Sequence, residues 1–159
     1  MTNFDFLKKE PKFDVFSGAA ISAEKCLAID ATSCIMNCRR AMELAIKWLY
    51  TVDSSLYLHN CETEALSSLM MAPCFKKLLD KTLQDRLHFI RKMGNNAAHA
   101  DSKVTDAMAI LCLQNLFEFL EYINYCYAGD HEKRRYDNKL LMQQAIICWR
   151  LMRVAPKKR

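Results

Sequence analysis

Apolar residues recur along this chain at the three- and four-residue spacing that lines one face of an α-helix. The clearest run is Cys34 to Val52, where Cys38, Ala41, Ala45, Trp48 and Leu49 form a broad apolar arc. Arg39, Glu43 and Lys47 stand four apart on the other side, as an i,i+4 charge ladder. The arc is wider than a surface helix needs, so this helix is expected at the centre of a bundle. Arg39 and Arg40 read as a solvated face, with partner binding as the alternative. Asp30 has the character of an N-cap, and Ser33 falls in the first turn. Upstream, Lys12–Ile29 predicts a helix with Phe13, Phe16, Ala20 and Ala23 facing inward, although Gly18 weakens its middle. Phe4 and Phe6, in a short arm over Asn3–Lys9, are placed to dock on the body.

Downstream, Cys61–Met71 predicts a short helix, and Pro73 opens a turn leading into Phe75–Leu79. Lys81–Met93 predicts a helix that ends at Gly94, because glycine readily takes the left-handed conformation that closes a helix. Asn95 and Asn96 suit a cap or turn, so Gly94, Asn95, Asn96 and His99 read as a mainly structural corner. Val104–Ala128 predicts a long helix with a narrow polar stripe of Gln114, Glu118 and Glu121. Leu111, Leu116, Phe117, Phe119, Leu120, Ile123 and Tyr127 leave most of its circumference apolar, more than one bundle face buries. A homodimer is the expectation that follows. His131–Val154 predicts a last helix, charged in its first third, with a frayed end.

These elements predict an all-α fold, a single bundle of about five to seven helices. Residues 1–129 form the helical domain, and 130–159 a basic C-terminal helix and tail packed on it. Composition supports this reading: three glycines and three prolines are too few for a many-turned β protein. At 52% apolar and 26% charged residues, the chain is globular in character, not disordered. The uncharged stretch Ala107–Phe117 is far short of the roughly 18–20 residues that cross a bilayer. The opening residues have no apolar run of signal-peptide length, so the expected location is the cytoplasm, with no membrane partner.

Eight cysteines raise the question of disulfides or a metal. Cys26, Cys34, Cys38, Cys112, Cys126 and Cys148 fall within helical patterns, mostly on apolar faces, and read as reduced core residues. A zinc site from Cys34, Cys38, His59 and Cys61 is the alternative, but no CxxC pair supports it, so neither metal nor cofactor is expected. Charge is segregated: residues 131–159 carry nine Lys/Arg against two acids, while the whole chain is +5. The remainder is therefore slightly acidic. Arg134, Arg135, Lys139, Arg150, Arg153, Lys157, Lys158 and Arg159 are the candidate binding residues, for non-specific DNA or RNA contact or an acidic protein partner. Tyr136 and Trp149 lie among them as possible stacking groups.

There is no glycine-rich phosphate loop, HExxH or GxSxG, and no pair of catalytic carboxylates. His59, His88 and His131 read as surface or structural residues. Two strings stand out: RRAMELAIKWLY, Arg39–Tyr50, and IRKMGNNAAH, Ile90–His99. Together with the opening NFDFL and the Ala23–Glu24 pair, they resemble the helical domain at the N-terminus of many type I restriction enzyme R subunits. That domain is similar in turn to the HEPN superfamily of helical bundles, many of which act in bacterial defence, toxin systems and RNA cleavage. The resemblance covers roughly residues 3–127.

Active HEPN ribonucleases carry an arginine four to six residues before a histidine, and the pair meets its symmetry mate across a homodimer. The imidazole serves as acid or base while the ribose 2′-oxygen is transferred to phosphorus, and the guanidinium steadies the phosphate charge. The resemblance implies Arg91, Asn95 and His99 as catalytic candidates. The match is incomplete, because Gly94 stands where the motif's arginine would precede Asn95, and Arg91 lies outside the usual window. The expected function is therefore a non-catalytic interaction module of bacterial or phage restriction or defence, dimerising and binding a protein or nucleic acid. The alternatives are a metal-independent ribonuclease using Arg91 and His99, and an inhibitor mimicking the front domain of a restriction subunit.

Overall fold

The computed structural model describes residues 1–57, 64–99 and 103–143. Two short 3-10 turns, Asp5–Lys9 and Pro11–Phe13, lead into six α-helices. These are α1 (Asp14–Cys26), α2 (Ala31–Val52), α3 (Leu66–Met71), α4 (Pro73–Leu78), α5 (Lys81–Ala97) and α6 (Asp106–Tyr127). No strand occurs among the described residues, and the fold is an all-α bundle, as expected.

The central helix is α2, packed on α1, α5 and α6. Asp30 caps it by accepting from the backbone N–H groups of Thr32 (3.2 Å) and Ser33 (2.7 Å), as its position predicts. Cys34, Ile35, Cys38, Ala41, Met42, Ala45, Ile46, Leu49 and Tyr50 are all buried. Trp48 sits among the rings of Phe13, Phe16 and Tyr127, with centroids 5.4–5.7 Å apart in edge-to-face geometry. The short helices are tied down through backbone carbonyls: Tyr50 donates to Leu69 (2.8 Å) and Tyr122 to Leu78 (3.1 Å). Between α5 and α6, Arg86 Nη1 donates to the buried Asn115 Oδ1 at 2.8 Å.

Much of the apolar circumference of α6 is covered within the chain. One side packs on α2 and α5. On the other, Phe4 and Phe6 close on Phe117 at 6.0 and 5.8 Å, and the Tyr136 ring joins them at 5.5 Å. The N-terminal arm and the segment after Gly129 thus bury part of the apolar surface that suggested a dimer, while Met108, Leu111 and Tyr125 stay exposed.

That segment departs from expectation. Residues 131–137 form neither helix nor strand, and helix resumes only at 138. The reason is tertiary. The side chain of Asn3 accepts from the backbone N–H of Asp137 (2.7 Å) and donates to its carbonyl (3.1 Å), pairing with it as a neighbouring strand would. The backbone N–H of Asn3 in turn donates to both carboxylate oxygens of buried Glu24, each at 3.1 Å. A non-helical strap lets Tyr136 and Arg134 reach their partners, which outweighs any local helical preference. The described part of the basic segment packs on the same body as residues 1–129.

Candidate functional site

The second correction concerns Gly94. It does not end a helix: α5 continues through Gly94, Asn95 and Asn96 to Ala97, and Gly94 has ordinary helical backbone. What requires glycine is a neighbour. A Cβ at position 94 would lie 2.5 Å from Cδ of Arg39, 3.0 Å from its Cβ and 3.2 Å from its Cγ. The stem of Arg39 therefore lies directly on the α5 backbone. Its guanidinium Nη1 donates to Asn95 Oδ1 in a short hydrogen bond. The two strings singled out by resemblance, one on α2 and one on α5, meet at this point.

The candidates on α5 are then set by helix geometry. Arg91 and Asn95 are one turn apart and share a side of the helix, and His99 follows one turn beyond Asn95, just past the helix end. Arg91 and His99 are separated by about 12 Å along the axis. The corner that would have folded them together is absent. Arg91 Nε is buried and has no hydrogen-bond partner among the described residues. His99 is exposed. Beside Arg39, the outer face of α2 carries a shallow groove of about 310 Å³ lined by Met36, Arg39, Arg40, Glu43, Leu44 and Lys47. Within it, Glu43 and Lys47 pair at 2.9 Å, as the ladder predicts, while Arg39 leaves the ladder for Asn95. His88, on the outer side of α5, is held below its ordinary pKa by burial and by the charge of Arg91. A charged imidazole is therefore disfavoured there.

Among the described members of the basic C-terminal set, Arg134 stands apart from Arg135 and Lys139. Arg134 is used internally: its guanidinium lies 4.9 Å over the Phe6 ring and 3.8 Å from Glu121, and its backbone N–H donates to Glu121 at 2.9 Å. Only 21% of its side chain is exposed. His131 Nε2 lies 2.9 Å from the same carboxylate, so it is structural, as read. Tyr136 is no stacking platform either, since its ring is packed on Phe117. Its hydroxyl is pushed well above the usual range by burial and then by the charge of Glu24. Arg135 and Lys139 are exposed. Arg150, Arg153, Lys157, Lys158 and Arg159, with Trp149, lie outside the described residues.

Of the cysteines, Cys34, Cys38 and Cys112 are buried and reduced, Cys26 and Cys74 are half-buried, and Cys126 is exposed rather than part of the core. Burial pushes the Cys38 thiol well up and that of Cys112 to about 12, with Cys34 adding to both. These are unreactive packing groups. No cluster of three or more metal-ligating side chains occurs among the described residues, and His59 and Cys61 lie outside them.

Sequence reasoning placed Arg39 on a solvated face, with partner binding as the alternative, and did not connect it to Gly94 and Asn95. A signal for it was present in retrospect: a glycine in mid-helix, followed by an asparagine, marks a place where another chain segment approaches the backbone closely.

No curated protein and no solved structure matches the chain. A family described as a domain of unknown function (DUF4145) matches residues 22–143, from the last turn of α1 through α6 and the strap. The match takes in Glu24, Arg39 and the whole Arg91–His99 stretch, and on it the chain belongs to that family.

Proposed function

We propose that this chain is a non-catalytic helical module that binds the phosphate backbone of a nucleic acid, within the restriction and defence setting implied by its HEPN-like resemblance. The observation that carries the reading is the interlock of Arg39 with Gly94 and Asn95. It holds the Arg39 guanidinium on the Asn95 amide, with Arg91 and His99 one turn before and after Asn95 in the chain, and it leaves no carboxylate paired with Arg39 among the described residues. Phosphate contact needs charge at a fixed position, and this α2–α5 edge has it. The homodimer remains part of the proposal on the strength of the resemblance alone, with a mass near twice 18.4 kDa expected in light scattering.

The test is a fluorescence anisotropy titration of short single-stranded RNA and DNA at low and physiological salt. It compares the native chain with one in which Arg150, Arg153, Lys157, Lys158 and Arg159 are all changed to Gln. The expected result is salt-sensitive binding by both chains. If the Gln variant loses binding, the tail and not the α2–α5 edge is the surface. If neither chain binds at low salt, the partner is not a nucleic acid.

A ribonuclease reading is favoured by one observation: Asn95 and His99 stand a single turn apart, and Arg39 is bonded to Asn95. Intact RNA after incubation with a chelator is the expected outcome. Cleavage that disappears in His99→Ala, with an unchanged melting temperature, would replace the non-catalytic reading.

A further inference from the structure

We infer that Arg39, rather than Arg91 or the C-terminal basic residues, is the phosphate-contacting arginine of this edge, seated by Gly94 and aimed by Asn95. This rests on the phosphate-binding reading above.

Three observations carry it. The first is the seat. With only a hydrogen at position 94, the Arg39 stem lies along the α5 backbone, and any side chain there would displace its Cδ and Cγ. The second is the aim. Asn95 Oδ1 accepts from Nη1, which fixes the plane of the guanidinium and leaves its other N–H donors for an acceptor from outside. The third is the choice of partner. A carboxylate partner would neutralise the guanidinium, whereas an amide, like that of Asn115 beneath Arg86, bridges two helices and leaves the charge in place. Here the partner is a neutral amide, and the nearest acid on the helix, Glu43, is held by Lys47 at 2.9 Å. A half-buried guanidinium that is oriented but keeps its full charge is suited to a planar, two-pronged contact with a phosphodiester. Arg91, one turn back, adds a second positive charge, but its Nε is buried away from solvent.

The experiment uses the full chain and the same RNA and DNA oligonucleotides, with every variant checked by thermal melting. Arg39→Ala should weaken RNA binding by about tenfold and lower the slope of log affinity against log salt by about 0.7, the value of one lost single-strand phosphate contact. Arg40→Ala removes the same charge from the adjacent exposed position, and it should change affinity less than threefold. Asn95→Asp separates the phosphate role from a structural one. It keeps an acceptor for Nη1 and so keeps the helices bridged, but it neutralises Arg39. The inference requires affinity to fall several-fold at an unchanged melting temperature. If Arg39→Ala does not fold, Asn95→Asp decides alone. If the native chain binds but a folded Arg39→Ala or Asn95→Asp binds equally well, the inference is overturned while the phosphate-binding reading stands. If the native chain does not bind, the reading itself fails. Equal losses for RNA and DNA would show a contact to phosphate alone.

Discussion

Replacing Gly94 with alanine sets two effects of opposite sign against each other. A glycine inside a helix costs about 0.5–1 kcal/mol relative to alanine, so on propensity alone the change stabilises α5. Against this, the new methyl group would sit 2.5 Å from Cδ and 3.2 Å from Cγ of Arg39, with Cβ at 3.0 Å. Displacing the Arg39 stem also breaks its hydrogen bond to Asn95. Overpacking of this kind costs about 1–3 kcal/mol, so the net expectation is a loss of about 1 kcal/mol. That corresponds to a fall of roughly 2–4 °C in melting temperature for a chain of this size. In an Arg39→Ala background the two distal atoms are gone, and only the contact at Cβ remains. Gly94→Ala should then be neutral or stabilising by up to about 1 kcal/mol. The assay is urea denaturation followed by far-ultraviolet circular dichroism on the four proteins of the cycle. A Gly94→Ala effect of the same sign and size in both backgrounds would refute the interlock.

Two other expectations follow from the packing. Asn3→Ala removes both hydrogen bonds that hold Asp137, and it should cost about 1–3 kcal/mol and open residues 131–137 to limited proteolysis; unchanged cleavage there would count against the clasp. Asp53 is held below its ordinary value by the Ser55 hydroxyl and then by Tyr127, so its contribution is present above about pH 3.8 and is lost as pH falls through the lowered folded-state value. Tyr127 is pushed up by burial and then by Asp53, so its contribution is lost as pH rises above 10.0. Melting curves of Asp53→Asn should therefore show a flatter loss of stability at both extremes than those of the native chain.

The parts of the fold legible in the sequence are those determined by neighbours along the chain. The Asp30 cap, the i,i+4 pair of Glu43 and Lys47, and the wide apolar arc of α2 each follow from local spacing and appear as read. The docking of Phe4 and Phe6 was legible too, because two exposed phenylalanines beside a bundle have little else to do. The misreadings share a cause. Gly94 fits a helix terminus by local rules, and His131–Asp137 is compatible with helix by composition. In both cases a residue distant in sequence decided the outcome, Arg39 for the first and Asn3 for the second. The apolar girth of α6 was read correctly, but periodicity cannot say that an arm and a strap cover part of it while Met108, Leu111 and Tyr125 stay exposed. The candidate site was half legible: Asn95 and His99 stood out, but the guanidinium beside them comes from α2.

The clasp between Asn3 and Asp137 also bears on the order in which the chain folds. It joins residues 134 positions apart, while the contacts of α1 with α2 and of α5 with α6 lie between elements adjacent or nearly so along the chain. Closing so long a loop carries a large entropic cost until the helices between have already shortened it. The clasp therefore belongs after the rate-limiting step, as a late lock rather than part of the nucleus. Loosening it leaves the speed of folding nearly unchanged and appears instead as faster unfolding. Glu24, Asn3 and the strap thus determine how long the assembled bundle lasts, while the hydrophobic face of α2 determines how quickly it forms.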